Sequence, residues 1–228
     1  MSAPWVVTKR LAQSHRDLAQ ALGLAVVDLE LFSTELIAPL AWPPAIGTAL
    51  FTSHTAVTAL GPAATQLVGT PVFCVGQRAG AGLRALGVPV TAEGFADAAT
   101  LAAFLVQFPL QEPLVHFCGA ERRPELAQGL ATAGVRLHEV PLYRRVPVLP
   151  FPALPGQLRG VAFVSPRGVA HWLDHGPALG PEVQLAALGP TTAQALAQRG
   201  VPNVVLAQHP TLNDLLRCMA HAEPTQRV

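Results

Sequence analysis

Residues 188 to 202, LGPTTAQALAQRGVP, repeat residues 75 to 89, VGQRAGAGLRALGVP, with five of fifteen positions identical. FVSPRGV at 163 to 169 likewise repeats FTSHTAV at 51 to 57, and the two offsets, 113 and 112 residues, are nearly equal. A weaker echo links PWVVTKR and DLAQALGLAV near the start to PLVHFCGAERRPELAQGLATAGV at 113 to 135. Motifs that recur in one order at one spacing point to an internal duplication.

Each copy reads as a strand, a turn and a helix. The runs ALFTS (49 to 53), PVFCVG (71 to 76), LVHFC (114 to 118), GVAFVS (160 to 165) and VQLAALG (183 to 189) are short, predominantly apolar and bounded by Gly, Pro or Ser. Unbroken apolarity, rather than alternation, suits parallel strands covered on both faces. Helical stretches follow them: TAVTALGPAATQL, AGAGLRALG, RPELAQGLATAG, PRGVAHWLDH and TTAQALAQRG. Gly87, Gly134 and Gly200 stand where left-handed caps end such helices. The expected fold is α/β, with two similar small domains, each a parallel sheet flanked by helices.

Composition narrows the class. The 228 residues are 50% hydrophobic and 13% charged, too apolar for a disordered chain. The 22 prolines and 19 glycines are scattered, which excludes collagen and a Pro-rich linker. A formal net charge of +1, with basic residues clustered only in pairs, argues against a nucleic-acid partner. Lys9 and Arg10 follow the first apolar residues instead of preceding them, the wrong order for a secretory signal. No apolar run reaches the roughly 20 residues of a membrane helix. Cys74, Cys118 and Cys218 are odd in number and in no metal-ligand spacing. These features predict a reduced, cytoplasmic protein with no membrane partner.

In sheets of this kind ligands sit beyond the carboxyl ends of the strands, where helix N-termini present free amides. Those ends carry Thr8 to Arg10, Thr52 to Thr55, Gly76 to Arg78, Cys118 to Arg123, Ser165 to Arg167 and Gly189 to Thr192. Small, hydroxylic and basic residues dominate, as an anion site requires. Glu121 is the one acidic residue among them, so no metal is expected.

In this order, FTSHTAV, VGQRAGAGLRALGV, FCGAERRPELAQGL, the VPLYR around 140, FVSPRGV and LGPTTAQALAQRGVPNVVLAQHPTLNDLL resemble the uroporphyrinogen-III synthase family from about Val6 to Leu216. The most specific part is the last motif, with Gly189, Thr191, Thr192, Ala193 and Leu196 in the family's places. The resemblance implies domain one at 1 to 32 plus 147 to 228, and domain two at 33 to 146. Segments near 29 to 36 and 138 to 148 would form a two-segment hinge joining these domains, which the resemblance makes flavodoxin-like. It also implies cyclisation of hydroxymethylbilane, a linear tetrapyrrole with eight carboxylates, to uroporphyrinogen III with its terminal pyrrole inverted. Such a cyclising hydro-lyase of haem biosynthesis would need no cofactor or metal and is expected as a monomer.

Residue by residue, the resemblance gives Tyr143, the sole tyrosine, the task of helping the hydroxyl depart. Thr191, Thr192 and Gly189 would line the substrate cleft with Ser53 and Ser165. The competing roles are hinge packing for Tyr143, helix capping for the threonines, and turn or cap duty for the serines. Arg10, Arg78, Arg167, Arg122 and Arg123 are candidates for carboxylate contacts. Two departures from the family bear on domain two. Ala79 and Gly80 replace a Thr-Ala pair, and Thr55 replaces an Asn.

Other constellations read more simply. His171 and His175, at i and i+4, are expected on an exposed helical face rather than on a metal. Gly76, Gly80 and Gly82 do not match the spacing of a dinucleotide loop. Cys118 near His116 reads as a small buried hydrophobe, on the argument that neighbouring strand residues point to opposite faces. Trp5, Trp42 and Trp172 read as packing residues. A non-catalytic hinged binding protein or sensor for a small anion is the alternative, but Tyr143 and the Gly-Pro-Thr-Thr motif favour the enzyme.

Overall fold

The computed structural model describes residues 3–37, 42–201 and 203–222. Pro202, the last residue of the longer repeat, lies outside them. In chain order the elements are β1 (Trp5–Val7), α1 (Gln13–Ala21), β2 (Val26–Asp28), β3 (Phe32–Leu36), β4 (Thr48–Phe51), α2 (His54–Leu60), β5 (Val72–Val75), α3 (Gln77–Ala85), β6 (Ala92–Phe95), α4 (Ala98–Leu105) and β7 (Leu114–Gly119). There follow α5 (Glu125–Thr132), β8 (Leu137–Pro147), β9 (Gly160–Phe163), α6 (Pro166–His175), β10 (Gln184–Ala187), α7 (Pro190–Ala197), β11 (Val205–Leu206) and α8 (Leu212–His221). The long helix expected over 55 to 67 is instead α2 followed by a 3-10 stretch, Gly61–Leu67. Gly61 turns to φ +54° and Pro62 has no amide to continue the ladder.

Contacts separate two compact units, Met1–Ser33 with Pro147–Val228, and Thr34–Val146. The first holds one sheet in the order β11-β10-β9-β1-β2, parallel throughout. Numbered along the chain this is 2-1-3-4-5, the flavodoxin order. The second holds β3-β8-β7-β4-β5-β6, with β8 to β6 parallel. Its five parallel strands, numbered from β4, run 3-2-1-4-5. If β9 is counted first, the first unit has that order too, so β9, β10 and β1 correspond to β4, β5 and β7. The repeated motifs therefore fall on equivalent strands.

Each sheet is buried on both faces, as its unbroken apolar strands require. In the first unit Trp5, Val7 and Ala162 pack on one face against Ala19 of α1 and Leu215, Leu216 and Met219 of α8. Val6, Val161 and Phe163 pack on the other against Val169 and Trp172 of α6 and Leu196 of α7. In the second, Ala49, Phe51, Val115 and Phe117 meet α2 and α3 through Val57, Leu60 and Leu83. Leu50, Phe73 and Leu114 meet Leu101 and Leu105 of α4 and Leu126 and Leu130 of α5. Two helices thus cover each face. Gly160 lets β1 and β9 approach: a Cβ there would sit 2.5 Å from the Trp5 ring and 2.6 Å from the Gln184 backbone oxygen.

The tryptophans pack as expected. Trp5 and Trp172 are fully buried, and Trp42 lies against Phe117 with ring centroids 5.6 Å apart. Among the described residues no helix is long and apolar enough to cross a membrane.

Candidate active site

The strand order reverses between β9 and β1 in the first unit and between β4 and β7 in the second. At such a point the loops diverge and open a crevice at the carboxyl ends of the strands. In the first unit Thr8, Ser165 and Gly189 end the adjacent strands β1, β9 and β10. The buried Thr8 hydroxyl closes the gap between β1 and β9, donating to the Ala162 carbonyl at 3.1 Å and accepting the Val164 amide at 3.2 Å. Ser165 has extended φ and ψ and caps α6, its Oγ accepting from the Gly168 amide at 3.1 Å. Gly189 is the N-cap residue of α7 and offers no side-chain cap bond. Thr191 and Thr192 are therefore in the first helical turn, not caps. Thr191 is exposed, while Thr192 is buried.

In the second unit Ser53 stands where Ser165 does and caps α2, accepting the Thr55 amide at 3.1 Å. The Tyr143 hydroxyl of β8 donates to Ser53 Oγ at 3.3 Å. Gly119 makes that approach possible, because a Cβ there would lie 2.9 Å from Tyr143 Cζ. The repeat places Ala79 opposite Thr192 and Arg78 opposite Thr191. Ala79 is as buried as Thr192, and Arg78 as exposed as Thr191. The missing hydroxyl at 79 thus belongs to a position that faces the core. Gly80 and Gly82 are packing glycines of α3, against Glu93 and against His54 with Val57.

The arginines divide. Arg10, Arg78 and Arg123 are exposed, and among the described residues none is paired with a carboxylate. Arg167, at the first turn of α6, lies over the Phe32 ring at 4.6 Å from its centroid. Arg122 is held in a two-pronged ion pair with Glu139, its Nε 2.6 Å from Oε1 and its Nη2 on Oε2. Its candidacy for substrate carboxylates is corrected by that pairing.

Two histidine readings also change. His171 does not lie on an exposed face. It is buried between Phe32 and Phe151, at centroid distances of 5.2 and 5.8 Å, and burial with the neighbouring His175 lowers its pKa. His175 is exposed. His116 and Cys118 do not point to opposite faces, since residues two apart on a strand share a face. With Glu139 they bring three ligand-type atoms within 4.8 Å of one another. The thiol remains inert, since burial pushes the Cys118 pKa up to about 11.

His116, Thr52 and Glu139 form a constellation that motif reading missed. His116 Nε2 lies 2.9 Å from Thr52 Oγ1, and Nδ1 is 3.6 Å from Glu139 Oε1. Burial of the ring, only 2% exposed, pushes its pKa down to about 4 against the opposing pull of Glu139. The available signal was a polar residue inside the apolar run LVHFC, at the period that aims it toward the Glu of LHEVPLY. A concavity of about 990 Å³ in the first unit, lined by Leu173, Gln184, Leu185, Val201 and Val205 among others, touches the starts of β10 and β11. It lies at the wrong end of the strands for this chemistry.

The chain is similar to known proteins along nearly its whole length. The family model described as uroporphyrinogen-III synthase HemD matches residues 19–217. The uroporphyrinogen-III synthetase of Helicobacter pylori 26695 superposes with a TM-score of 0.69 at 17% identity, covering 96% of this chain and 98% of that one. A mutant uroporphyrinogen III synthase from the extremely thermophilic bacterium Thermus thermophilus gives 0.53 at 20% identity, covering 95% and 97%. At these identities the two structures establish the fold. The family match adds the function, and the chain belongs to the uroporphyrinogen-III synthase family of tetrapyrrole biosynthesis.

Proposed function

We propose that the chain cyclises hydroxymethylbilane to uroporphyrinogen III as a cofactor-independent hydro-lyase, by positioning its substrate and supplying one proton from Tyr143. The observation that carries this reading is the 3.3 Å contact of Tyr143 Oη with Ser53 Oγ at the strand ends of the second unit. Ser53 Oγ already accepts the Thr55 amide, so its own proton is free to turn outward. Tyr143 can release its bond to Ser53 and donate to the departing hydroxyl, which leaves as water. The azafulvenium cation so formed is attacked by the substituted carbon of the last pyrrole to give a spiro-pyrrolenine. Breaking that ring's older carbon bond and re-closing at its free carbon inverts it, and the proton lost on re-aromatisation returns to the Tyr143 phenolate.

The linear tetrapyrrole closes unaided to the uninverted isomer, so holding it folded is the main demand. Its carboxylates suit exposed arginines and helix N-termini. Arg10 and Arg167 serve in the first unit, with Ser165, Gly189, Thr191 and Thr192, and Arg78 serves in the second with Ser53. Thr192 acts there indirectly: its side chain is buried and its amide donates to the Gly189 carbonyl at 3.0 Å, which fixes the turn that presents Gly189 and Thr191. We further propose that the domains are 1 to 32 with 147 to 228, and 33 to 146, and that the protein works as a cytoplasmic monomer without nucleic acid.

The test is the isomer ratio of uroporphyrins after freshly generated hydroxymethylbilane meets the purified protein and is oxidised. Type III should predominate. Type I alone, at the uncatalysed rate and from folded protein, would overturn the enzyme in favour of a non-catalytic binder.

A further inference from the structure

The second unit carries a polar chain, running from the exposed Arg122 to the buried His116, that its sister unit has only in part. Arg122 clamps Glu139, Glu139 faces His116 Nδ1 at 3.6 Å, and His116 Nε2 meets Thr52 Oγ1 at 2.9 Å. Ladder registers identify the matching positions of the first unit. Gly160 faces Trp5 as Thr48 faces Leu114, and Val7 faces Asp28 as His116 faces Glu139. Asp28 has its own arginine, Arg16, at 2.6 and 2.9 Å. Both units thus hold a carboxylate–guanidinium pair at this place. The first has Val7 where the second has His116, and the 112-residue repeat sets Val164 opposite Thr52. The fold accepts apolar residues at both positions, so it does not itself require the imidazole and the hydroxyl.

A neutral imidazole carries one N–H. The bare lone pair of Nδ1 would repel the Glu139 carboxylate, so the proton belongs on Nδ1, drawn by that charge. Nε2 is then an acceptor, and the Thr52 O–H must donate to it. Thr52 is half-buried at the end of β4, beside Ser53 and hence beside the partner of Tyr143.

We infer that Glu139 and His116 lock the Thr52 hydroxyl with its proton turned inward, so that Thr52 offers only lone pairs to the substrate and accepts pyrrole N–H groups of the linear tetrapyrrole. His116 and Glu139 are positioning residues, and Thr52 is the group that meets the ligand. A hydroxyl free to rotate would also donate to carboxylates. A locked one discriminates for N–H donors, the groups that a tetrapyrrole presents along its length.

The role of Thr52 rests on the synthase reading, whereas the direction of the hydrogen bond does not, and two measurements keep them apart. A long-range proton–nitrogen NMR spectrum of the histidine rings near pH 7 should show His116 as the Nδ1–H tautomer. Glu139→Gln, whose amide can donate to Nδ1, should shift it to Nε2–H. In kinetics Thr52→Val should raise KM about tenfold, the loss of one hydrogen bond. Thr52→Ser should restore it, and Glu139→Gln should raise KM with little effect on the thermal midpoint. An Nε2–H or doubly protonated wild-type ring, or a wild-type KM in Thr52→Val, would overturn the lock while leaving the synthase in place. A wild-type chain that yields no type III isomer would overturn the synthase reading and the role of Thr52 with it.

Discussion

Tyr143 and Ser53, ninety residues apart in sequence, meet through their hydroxyls at 3.3 Å, with Gly119 leaving the space for the ring. One residue comes from β8 and the other from the turn after β4, with β7 between them. The pair exists only because the parallel order seats β7 beside both.

Tyr143→Phe removes the proton and keeps the ring. Turnover to the type III isomer should fall by about a hundredfold, the lower range for losing a general acid, and by more than in Thr191→Ala. Thermal unfolding should stay near wild type. Gly119→Ala should imitate the loss by pushing the phenol aside. Turnover of Tyr143→Phe equal to wild type would remove the tyrosine from the mechanism.

Ser53 and Ser165 are equivalent caps with different neighbours. Alanine at either should cost about 1 kcal/mol of stability, as the loss of an N-cap does. Ser53→Ala should also slow turnover by unseating Tyr143. Chemical denaturation of the two variants beside their rates checks this, and equal rates at equal stabilities would break the link between Ser53 and the phenol.

Acid should weaken the fold through His116. Its folded pKa of about 4 lies below the ordinary 6.5, so between those values the unfolded chain binds a proton that the folded chain refuses. The stabilisation is complete above pH 6.5 and drains away as pH falls toward 4, by on the order of 3 kcal/mol in all. Glu139 and Asp28, with pKa values held down by Arg122 and Arg16, act in the same sense at lower pH. His116→Val should flatten the slope between pH 6.5 and 4, measurable as urea midpoints across that range.

Burial pushes the Cys74 thiol up to about 12 and Cys118 up to about 11, whereas Cys218 is only half-buried. Iodoacetamide at pH 8 should therefore label folded protein at Cys218 alone. Rapid modification of Cys118 would show that the second unit opens at β7.

Much of this architecture was legible because parallel strands write themselves as short apolar runs closed by Gly or Ser. ALFTS and GVAFVS became β4 and β9 with their capping serines in place. Half-exposed strands lack that signature. FSTEL and AEGF, as β3 and β6, have no run of buried residues to betray them. LHEVPLYRRVP, read only as a connecting segment, is an eleven-residue strand whose burial is as broken as theirs. The strand-end hydroxyls could be named from position alone. The partnership of His116 with Thr52 and Glu139 could not, because it depends on which strands lie side by side. The pairing of Arg122 is illegible for the same reason, its carboxylate being seventeen residues away on a neighbouring strand.

The placement of β1 between β9 and β2 also sets a timetable for the growing chain. Once made, β1 cannot pair with β9 until some 150 more residues have followed it, on the order of ten seconds at usual synthesis rates. The continuous stretch from Thr34 to Val146 can close its own sheet in that interval. Trp5 to Val7, an apolar edge in waiting, must meanwhile be kept from other company. A nascent-chain protease pulse should find the middle of the protein protected before either end.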